Sequence, residues 1–413
     1  MLMHKLLIIN FLCFLGVSAA ATSFEVGPTQ TYRSIRGAIR DAKVGDTLFV
    51  YPGLYREGNL VIDKTLTLIG LDYPVLDGQG SVEILTISAP RVRIRGFYIC
   101  NSGRMSTIDI AGIKVLAVDS VVIEDNVVVH CNFGIYLSNA QHCTVRCNTV
   151  RGAPEAEHNT GNGIHLWKCD GARIEGNAIS GHRDGVYFEF VTNSVILDNY
   201  SRENLRYGLH FMFSHSDRYT QNTFENNGAG VAVMYSHHVH MSDNHFLHNW
   251  GAAAYGILLK DISDSEIRHN IFDHNTAGMY VEGASRMVVE HNLFRQNGWA
   301  LRVQASCNES VFTRNNFFGN SFDVSTNGQT VFNTFNGNYW DRYEGYDLNR
   351  DGTGDVPFRP VSLYAVVVEQ MPAGLILMRS FMVSLMDRAE KIIPTLTPEK
   401  LIDNEPAMKP VIW

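Results

Sequence analysis

The sequence is short of charge, of cysteine and of long apolar runs. Asp, Glu, Lys and Arg together make up 18% of its 413 residues, and the formal net charge is -8. That balance argues against a nucleic-acid partner, which would select for a basic surface. The apolar run over residues 6–17 is too short to span a bilayer.

The first residues have the layout of a secretory signal peptide. Lys5 precedes the apolar run, and the small residues 18–21 follow it. Cys13 lies too early, among the wrong neighbours, to be a lipoprotein acylation site. We expect residues 1–21 to be a signal peptide and the mature protein to be exported and soluble.

Removal of the signal peptide leaves few cysteines. The remaining six are Cys100, Cys131, Cys143, Cys147, Cys169 and Cys307. Cys143 and Cys147 are spaced C-x-x-x-C, which is neither a zinc nor a redox spacing. We interpret most of these thiols as packing residues, and disulfide pairing of some of them in an oxidising compartment stays open.

One asparagine recurs along most of the chain, mostly at steps of 22 or 23 residues. Its copies are Asn126, Asn148, Asn177, Asn199, Asn222, Asn244, Asn270, Asn292, Asn315 and Asn338. The two longer steps coincide with "APEAEHNT" and "WGAAAY", which we interpret as loop insertions. A second column follows five residues later, at Asn204, Asn227, Asn249, Asn275, Asn297 and Asn320.

A unit of this length cannot bury its own apolar face, so its copies must stack on one another. Stacked strands lie about 4.8 Å apart, and asparagines at equivalent turns can then hydrogen bond from coil to coil. The pattern predicts an all-β fold, a right-handed parallel β-helix over residues 22–359. An amphipathic segment at residues 34–42 is predicted to be a helix that covers the first coil.

In each coil a glycine precedes a short strand, whose side chains alternate between two faces. The first and third residues after the glycine, such as Leu209 and Phe211, are apolar in every coil and are predicted to fill the core. The second and fourth residues then face outward. In the middle five coils these include His165, Trp167, Tyr187, Glu189, His210, Met212 and Met234, which form one contiguous face. Such clusters usually mark a binding surface, unless an insertion or the tail covers them.

Met212 and Met234 are outward neighbours on adjacent coils, and His215 and His237 stack in the same way in the following turn. We call these four residues and the other five outward residues the Met/His face. Thioether and imidazole ligands together suit Cu(I) better than zinc or calcium. We therefore predict transient copper handling or partner contact at this face. The alternative is a set of scattered surface histidines, because no pair has the spacing of a metal motif.

The segment "YDLNRDGTGDVPF" resembles the opening of a calcium loop. It places Asp347, Asn349, Asp351 and Asp355 at alternate positions, but Phe358 stands where an EF-hand needs glutamate. Calcium binding and an Asx-rich turn are both compatible with this pattern.

From Pro360 onward the repeat stops, and an apolar segment with helical spacing follows. Glu369, Pro372 and Arg379 interrupt it, which argues against a membrane span. We expect residues 360–413 to form a tail that both caps the open end of the β-helix and docks onto a partner. The candidate docking residues are Tyr364, Leu375, Met378, Phe381, Met382 and Leu385.

Several of these segments are specific. With "DGVYFEF", "LRYGLHFMFSH", "FENNGAGVAVMYS", "GNYWDRYEGYDLNRDGTGDVPF" and the tail from "SLYAVVVEQMPAGLILMRSF" onward, the chain resembles the NosD family over nearly its whole mature length. That family comprises periplasmic β-helix proteins required for maturation of nitrous oxide reductase in denitrification.

The resemblance implies a non-enzymatic accessory protein in the periplasm, held at the inner membrane through a transporter. The implied partners are an ABC transporter membrane subunit (NosY-like) with its ATPase (NosF-like), a copper chaperone (NosL-like) and nitrous oxide reductase, whose copper-sulfide site is assembled. The tail is implied to contact the permease. The resemblance does not imply that His210, Met212 or Met234 binds copper.

A carbohydrate-active enzyme is the competing prediction, because lyases, hydrolases and epimerases are common on this fold. His165, Tyr187, Glu189 and His210 could supply acid and base groups, with Trp167 as a stacking platform. Against this, the outward face has a single carboxylate, and its methionines have no acid–base role. A purely structural surface protein would explain neither the Met/His face nor the tail.

Overall fold

The computed structural model describes residues 22–105, 107–328, 332–378, 380–393 and 401–412. The predicted signal peptide and Arg379 lie outside these ranges. The chain winds into three sheets of 14, 13 and 12 strands that run along its length. Each coil pairs in parallel with the coils before and after it. The parallel β-helix predicted from the repeat is therefore confirmed.

Each coil contributes in turn to sheets A, B and C. The strands of sheet A are Ser23–Val26, Thr47–Val50, Thr67–Gly70, Arg93–Arg95, Val122–Glu124, Thr144–Arg146, Arg173–Glu175, Val195–Leu197, Arg218–Thr220, His240–Ser242, Glu266–Arg268, Val288–Glu290, Asn308–Thr313 and Phe332–Asn336. The strands of sheet B are Leu54–Tyr55, Val75–Asp77, Tyr98–Cys100, Val127–Val129, Thr149–Arg151, Ala178–Ser180, Tyr200–Arg202, Thr223–Glu225, His245–Leu247, Ile271–Asp273, Leu293–Arg295, Asn316–Phe318 and Tyr339–Trp340. The strands of sheet C are Leu60–Ile62, Leu85–Ile87, Ala111–Leu116, Phe133–Ser138, Ile164–Trp167, Asp184–Glu189, Tyr207–Met212, Ala229–Met234, Tyr255–Lys260, Ala277–Glu282, Trp299–Val303 and Phe322–Ser325.

Across the part of the chain that the structure describes, no helix is both long enough and apolar enough to cross a membrane.

The recurring asparagines form a continuous buried ladder. Asn222, for example, accepts the backbone N–H of Asn199 at 2.9 Å, and its own N–H is bound by Asn244 Oδ1 at 3.0 Å. Each amide therefore satisfies backbone groups at a sharp bend that the sheets cannot reach. Beside the ladder, stacked rings fill the core from Phe224 to Trp340, with ring centroids 4.1–5.6 Å apart. The predicted asparagine and core positions are confirmed.

A separate ladder of serine side chains contains one aspartate. Ser194, Ser265 and Ser310 each accept a backbone N–H from the preceding coil. Asp217 takes the same position, and its Oδ1 accepts the N–H of Ser194 at 2.8 Å. Asp217 Oδ2 is buried with no hydrogen-bond partner, and burial raises the pKa of this carboxyl to about 8.

The six cysteines are all free thiols. Five of them are buried, and Cys147 is exposed. The burial of the five raises the pKa of several, to about 12 for Cys131. Buried neutral thiols behave as small apolar side chains, so the packing role predicted for most of the cysteines is confirmed.

The N-terminal end is closed by helix α1 (Ile35–Asp41), as predicted. Ser34 caps the helix by accepting the N–H of Gly37 at 2.9 Å. Ile35, Ala38 and Ile39 are buried against the first coil. The open end of the sheets is therefore covered by apolar side chains and is not available for pairing with another chain.

The C-terminal end is closed by two helices, α2 (Leu363–Gln370) and α3 (Phe381–Ile392), joined by a 3-10 segment at Pro372–Leu377. Helix α2 buries Tyr364, Ala365 and Val368 against Phe322 of sheet C. Leu375 and Met378 pack at the edge of this cluster. Arg302 of sheet C is bound by Glu369 of α2, with N–O distances of 2.9 and 3.0 Å. The first part of the tail thus packs on the β-helix.

The last described segment completes the final coil. Asp403, fully buried, takes the place of the next ladder residue after Asn338. Its Oδ2 accepts the backbone N–H and Nδ2 of Asn338 and Nε1 of Trp340, all at 3.0 Å. Val411 exchanges two backbone hydrogen bonds of 2.8 Å with the side chain of Asn316. The extended strip that ends the chain therefore acts as a cap, a role that the sequence assigned only to the tail in general.

Candidate functional site

Strand register aligns the outward residues of sheet C in two columns. Tyr136, His165, Tyr187, His210 and Ala232 form the first column, each the register partner of the next. The second column runs through Ser138, Trp167, Glu189, Met212, Met234, Lys260 and Glu282. Met212 and Met234 are thus neighbours on adjacent coils, as the repeat predicted.

The first column is packed and buried, which the sequence did not predict. The ring centroids of His165 and Tyr187 are 4.8 Å apart, and those of Tyr187 and His210 are 5.0 Å apart. These three side chains are 4–9% exposed. Burial lowers the pKa of His165 to about 3, so this imidazole is neutral. The three residues are outward-facing but do not lie on the exposed part of the Met/His face.

A charged cluster of buried Asp184 and half-buried Arg206 contacts this column. Arg206 binds Asp184 through two hydrogen bonds of 3.0 and 3.1 Å, and its Nη2 is 3.0 Å from Nδ1 of His210. Burial of Asp184 acts to raise its pKa, but His210 and Arg206 lower it further, so the net shift is downward. Arg206 also approaches Glu157 of the "APEAEHNT" insertion, at 3.6 Å. Asp184 is not among the predicted site residues, and its signal in the sequence is a carboxylate directly before the glycine of the coil.

The second column is half-exposed and carries the soft ligands. Trp167, Glu189, Met212 and Met234 all have intermediate exposure. The hydroxyl of Tyr187 donates to Sδ of Met212 at 3.6 Å, which links the buried column to the exposed one. Because the side chains of this column contribute little to the core, the thioethers are accessible for contact with a metal ion or a partner.

An exposed aromatic ladder, which was not predicted from the sequence, borders the two methionines. Phe190, Phe213 and Tyr235 follow the second column directly, with ring centroids 5.3 and 5.0 Å apart. They are 37–44% exposed. Each has a φ of +50 to +55°, a left-handed conformation that is uncommon for aromatic residues. The sequence pattern that could have predicted this ladder is the recurrence of an aromatic residue at the same position in three successive coils.

The histidines predicted to stack do so. The rings of His215 and His237 are 3.9 Å apart and nearly parallel. Nδ1 of His237 lies 2.8 Å from Nδ1 of His238, which is exposed. Burial lowers the pKa of His215. Neutral imidazoles are available as metal ligands, and this group follows the methionine column after a bend at Phe213.

Two other predicted sites lie away from this face. In the acidic loop, Asp347 accepts the N–H groups of Asp351 and Gly352 at 3.2 and 2.9 Å, and Asp355 accepts that of Leu348 at 2.7 Å. These carboxylates accept backbone N–H groups within an Asx-type turn. This arrangement does not support calcium binding. Within the described residues, no group of three or more His, Cys, Asp or Glu is arranged to hold a metal ion.

The candidate docking residues of the tail divide into two groups. Tyr364 is buried, and Leu375 and Met378 pack beside it. Phe381, Met382 and Leu385 of α3 are exposed by 83%, 54% and 50%. Ile392 of the same helix is 78% exposed. Among the candidate docking residues, those available to a partner therefore lie on α3.

Comparison of the sequence with known proteins finds matches to proteins named NosD. Residues 153–345 match the family described as "Periplasmic copper-binding protein (NosD)". A protein of Pseudomonas aeruginosa named "Probable ABC transporter binding protein NosD" is 29% identical, over 85% of this chain and 86% of its own. A protein of Stutzerimonas stutzeri with the same name is 26% identical, over 88% and 87%.

Solved structures show the fold alone. The catalytic unit of an alpha-1,3-glucanase from Streptomyces thermodiastaticus has a TM-score of 0.60 at 14% identity, over 79% of this chain and 70% of its own. Sequence similarity at that level does not transfer an activity. The similarity to the two named relatives extends instead over most of both chains. The family model and the two relatives carry the same name, NosD, and the chain is similar to NosD proteins in sequence.

Proposed function

We propose that this chain is a periplasmic accessory protein for the maturation of nitrous oxide reductase, acting with an ABC transporter and a copper donor in assembly of the copper-sulfide site. The observation that carries the proposal is the pairing of the half-exposed Met212 and Met234, close in sequence to the His215–His237 stack. The names of the two relatives, which describe ABC transporter binding proteins, support the transporter partner.

Copper is the cargo in this proposal. Thioether sulfur and neutral imidazole favour Cu(I), and they are half-exposed here, so an ion could enter and leave. The family description as copper-binding supports this choice. The aromatic ladder of Phe190, Phe213 and Tyr235 would provide apolar contact area for the protein that delivers or receives the ion.

An enzymatic role is not part of the proposal. His165, Tyr187 and His210 are stacked and buried, so they leave no open cleft in which a sugar could reach them. Burial raises the pKa of Tyr187 to about 12, which suits packing better than proton transfer near neutral pH. Glu189 is then the one accessible carboxylate of the Met/His face.

We predict that Met212→Ala together with Met234→Ala lowers the copper and sulfide content of nitrous oxide reductase several-fold. The reductase would be purified from cells that produce this chain, the double variant or neither protein, and its metal and sulfide would be measured. The matched control is Met241→Leu with Met279→Leu, which removes two thioethers from the core. A fully loaded reductase with the outward double variant would rule out the role of these methionines. A fully loaded reductase without the chain would rule out the maturation role.

The transporter is proposed to bind α3. We predict that Phe381→Ser together with Leu385→Ser abolishes co-purification with the transporter membrane subunit, because these side chains present the exposed apolar strip of the helix. Val44→Ser with Leu54→Ser, which removes exposed apolar groups at the opposite end, is the control. Deletion after Pro360 is less informative, since it also removes Asp403. Undiminished co-purification of the α3 variant would place the transporter contact elsewhere.

A further inference from the structure

We propose a second metal site, on another edge of the β-helix, in which His248 and His274 together bind one divalent transition-metal ion. The two residues follow strands of sheet B directly. Their predecessors Leu247 and Asp273 are register partners, so the histidines occupy equivalent positions on adjacent coils. The N–H of His248 donates to the carbonyl oxygen of Asp273 at 3.0 Å, which fixes the two backbones beside each other.

The two imidazoles have the separation of a chelating pair. Their ring centroids are 5.1 Å apart with an interplanar angle of 37°, and both side chains are exposed. Nitrogen atoms that share an ion at about 2.0–2.1 Å each lie at most about 4 Å from one another. At this spacing, rotation of the exposed His248 ring is the movement that would bring one of its nitrogens within that limit of a His274 nitrogen. Both residues have φ of +55°, so the bend, and with it the direction of each Cβ, is the same in the two coils.

A carboxylate already orients one of the ligands. Nδ1 of His274 is 2.8 Å from Oδ1 of Asp273, whose side chain is buried and is held from its other oxygen by Arg295 at 2.5 Å. A proton on Nδ1 directed at this carboxylate leaves the lone pair of Nε2 free. Carboxylate–histidine pairs of this kind commonly support metal-binding imidazoles. The neighbouring pair His215–His237 has no comparable carboxylate contact among the hydrogen bonds of the described residues.

The ligand chemistry selects the ion. Two imidazole nitrogens without thioether or hard oxygen donors favour Cu(II) over Ni(II) and Zn(II), and disfavour calcium and magnesium. In the described ranges no third His, Cys, Asp or Glu joins the pair in a metal-binding group, so water must complete the coordination. The site is therefore expected to exchange its ion readily. The His248–His274 site lies on the bend between sheets B and C. It does not depend on the proposed function, because that function uses other residues.

The test is Cu(II) binding by the full mature chain, measured by equilibrium dialysis and electron paramagnetic resonance. All proteins would carry His215→Gln, His237→Gln and His238→Gln, so that the first imidazole group does not contribute. In that background, His248→Gln with His274→Gln is expected to lose one equivalent of Cu(II) and the nitrogen hyperfine structure that goes with it. Zn(II) is expected to compete only at higher concentration.

Two single variants make the test specific. His245→Gln is the matched control, because His245 is exposed on the preceding strand and its register partners are Thr223 and Ile271. Asp273→Asn is expected to weaken Cu(II) binding several-fold while the stoichiometry is kept. Retention of every equivalent by the His248/His274 variant would overturn the proposal, as would an equal loss in the His245 variant. Neither result would bear on reductase maturation, which is measured separately through the methionines.

Discussion

Replacement of Asp403 by alanine is expected to destabilise the last coil by roughly 3–5 kcal/mol, because it leaves several buried donors without an acceptor. The backbone N–H and Nδ2 of Asn338 and Nε1 of Trp340 all depend on one carboxyl oxygen. Since each coil contacts only its neighbours, the loss should be local. Hydrogen exchange would show faster exchange in the final coil and tail, with the N-terminal coils unchanged.

Asp403→Asn is the informative control. An amide oxygen accepts the same two bonds in every preceding step of the ladder, as Asn338 does for Asn315. This variant should therefore lose only the bonds made by the second oxygen, to the N–H groups of Gly337 and Glu405. We expect a cost of about 1–2 kcal/mol. Equal protection of the final coil in wild type and Asp403→Ala would show that the cap is held by other contacts.

Asp217→Ser is expected to stabilise the protein, and by an amount that depends on pH. The pKa of Asp217 is about 8 in the folded chain, raised by burial, so folding keeps this carboxyl protonated at neutral pH. Below pH 4 the group is protonated in both states and contributes no penalty. As pH rises from about 4 to 8, the unfolded state ionises and the folded state loses up to about 1.4 kcal/mol per pH unit. The gain from the substitution should therefore grow over this window, to roughly 5 kcal/mol at pH 8.

Serine is the appropriate replacement because Ser194, Ser265 and Ser310 fill the equivalent position in other coils. Its hydroxyl can accept the N–H of Ser194 that Asp217 accepts now. Asp217→Asn should remove the pH dependence equally but gain less, since its buried amide donors would have no partner. Denaturant unfolding at pH 5 and pH 8 measures both quantities. A difference that does not change with pH would mean that Asp217 is not buried as a neutral acid.

The fold could be predicted because residues in equivalent structural positions recur at a nearly constant spacing along the sequence. The spacing of Asn199, Asn222 and Asn244 placed them at the same bend in successive coils. Because coils stack at one strand spacing, each asparagine side chain then lies within hydrogen-bond distance of the asparagine in the next coil. The alternation of apolar residues then identified the core. What the repeat could not predict was the end of the ladder: Asp403 follows Asn338 by 65 residues, after two helices, so no periodicity connects them.

The candidate site was predictable in its register but not in its exposure. Alternation assigned His165, His210 and Met212 to one outward side, and strand pairing confirms the side. Alternation cannot show what covers that side. The burial of His210 depends on Asp184 and Arg206, whose pairing joins two coils through side chains. Such contacts depend on rotamers and on insertion loops, neither of which has a period.

The regular pairing of sheet C also sets the distance between the methionines and the tail. Four strand steps separate the coil of Met234 from the coil of Phe322, on which α2 packs, a rise of about 19 Å. Because every step of the sheet has the same spacing, a partner bound to the tail and a partner bound at the methionines would be held at a fixed separation. Removal of one whole coil between them would shorten that separation by about 4.8 Å and leave both surfaces chemically intact.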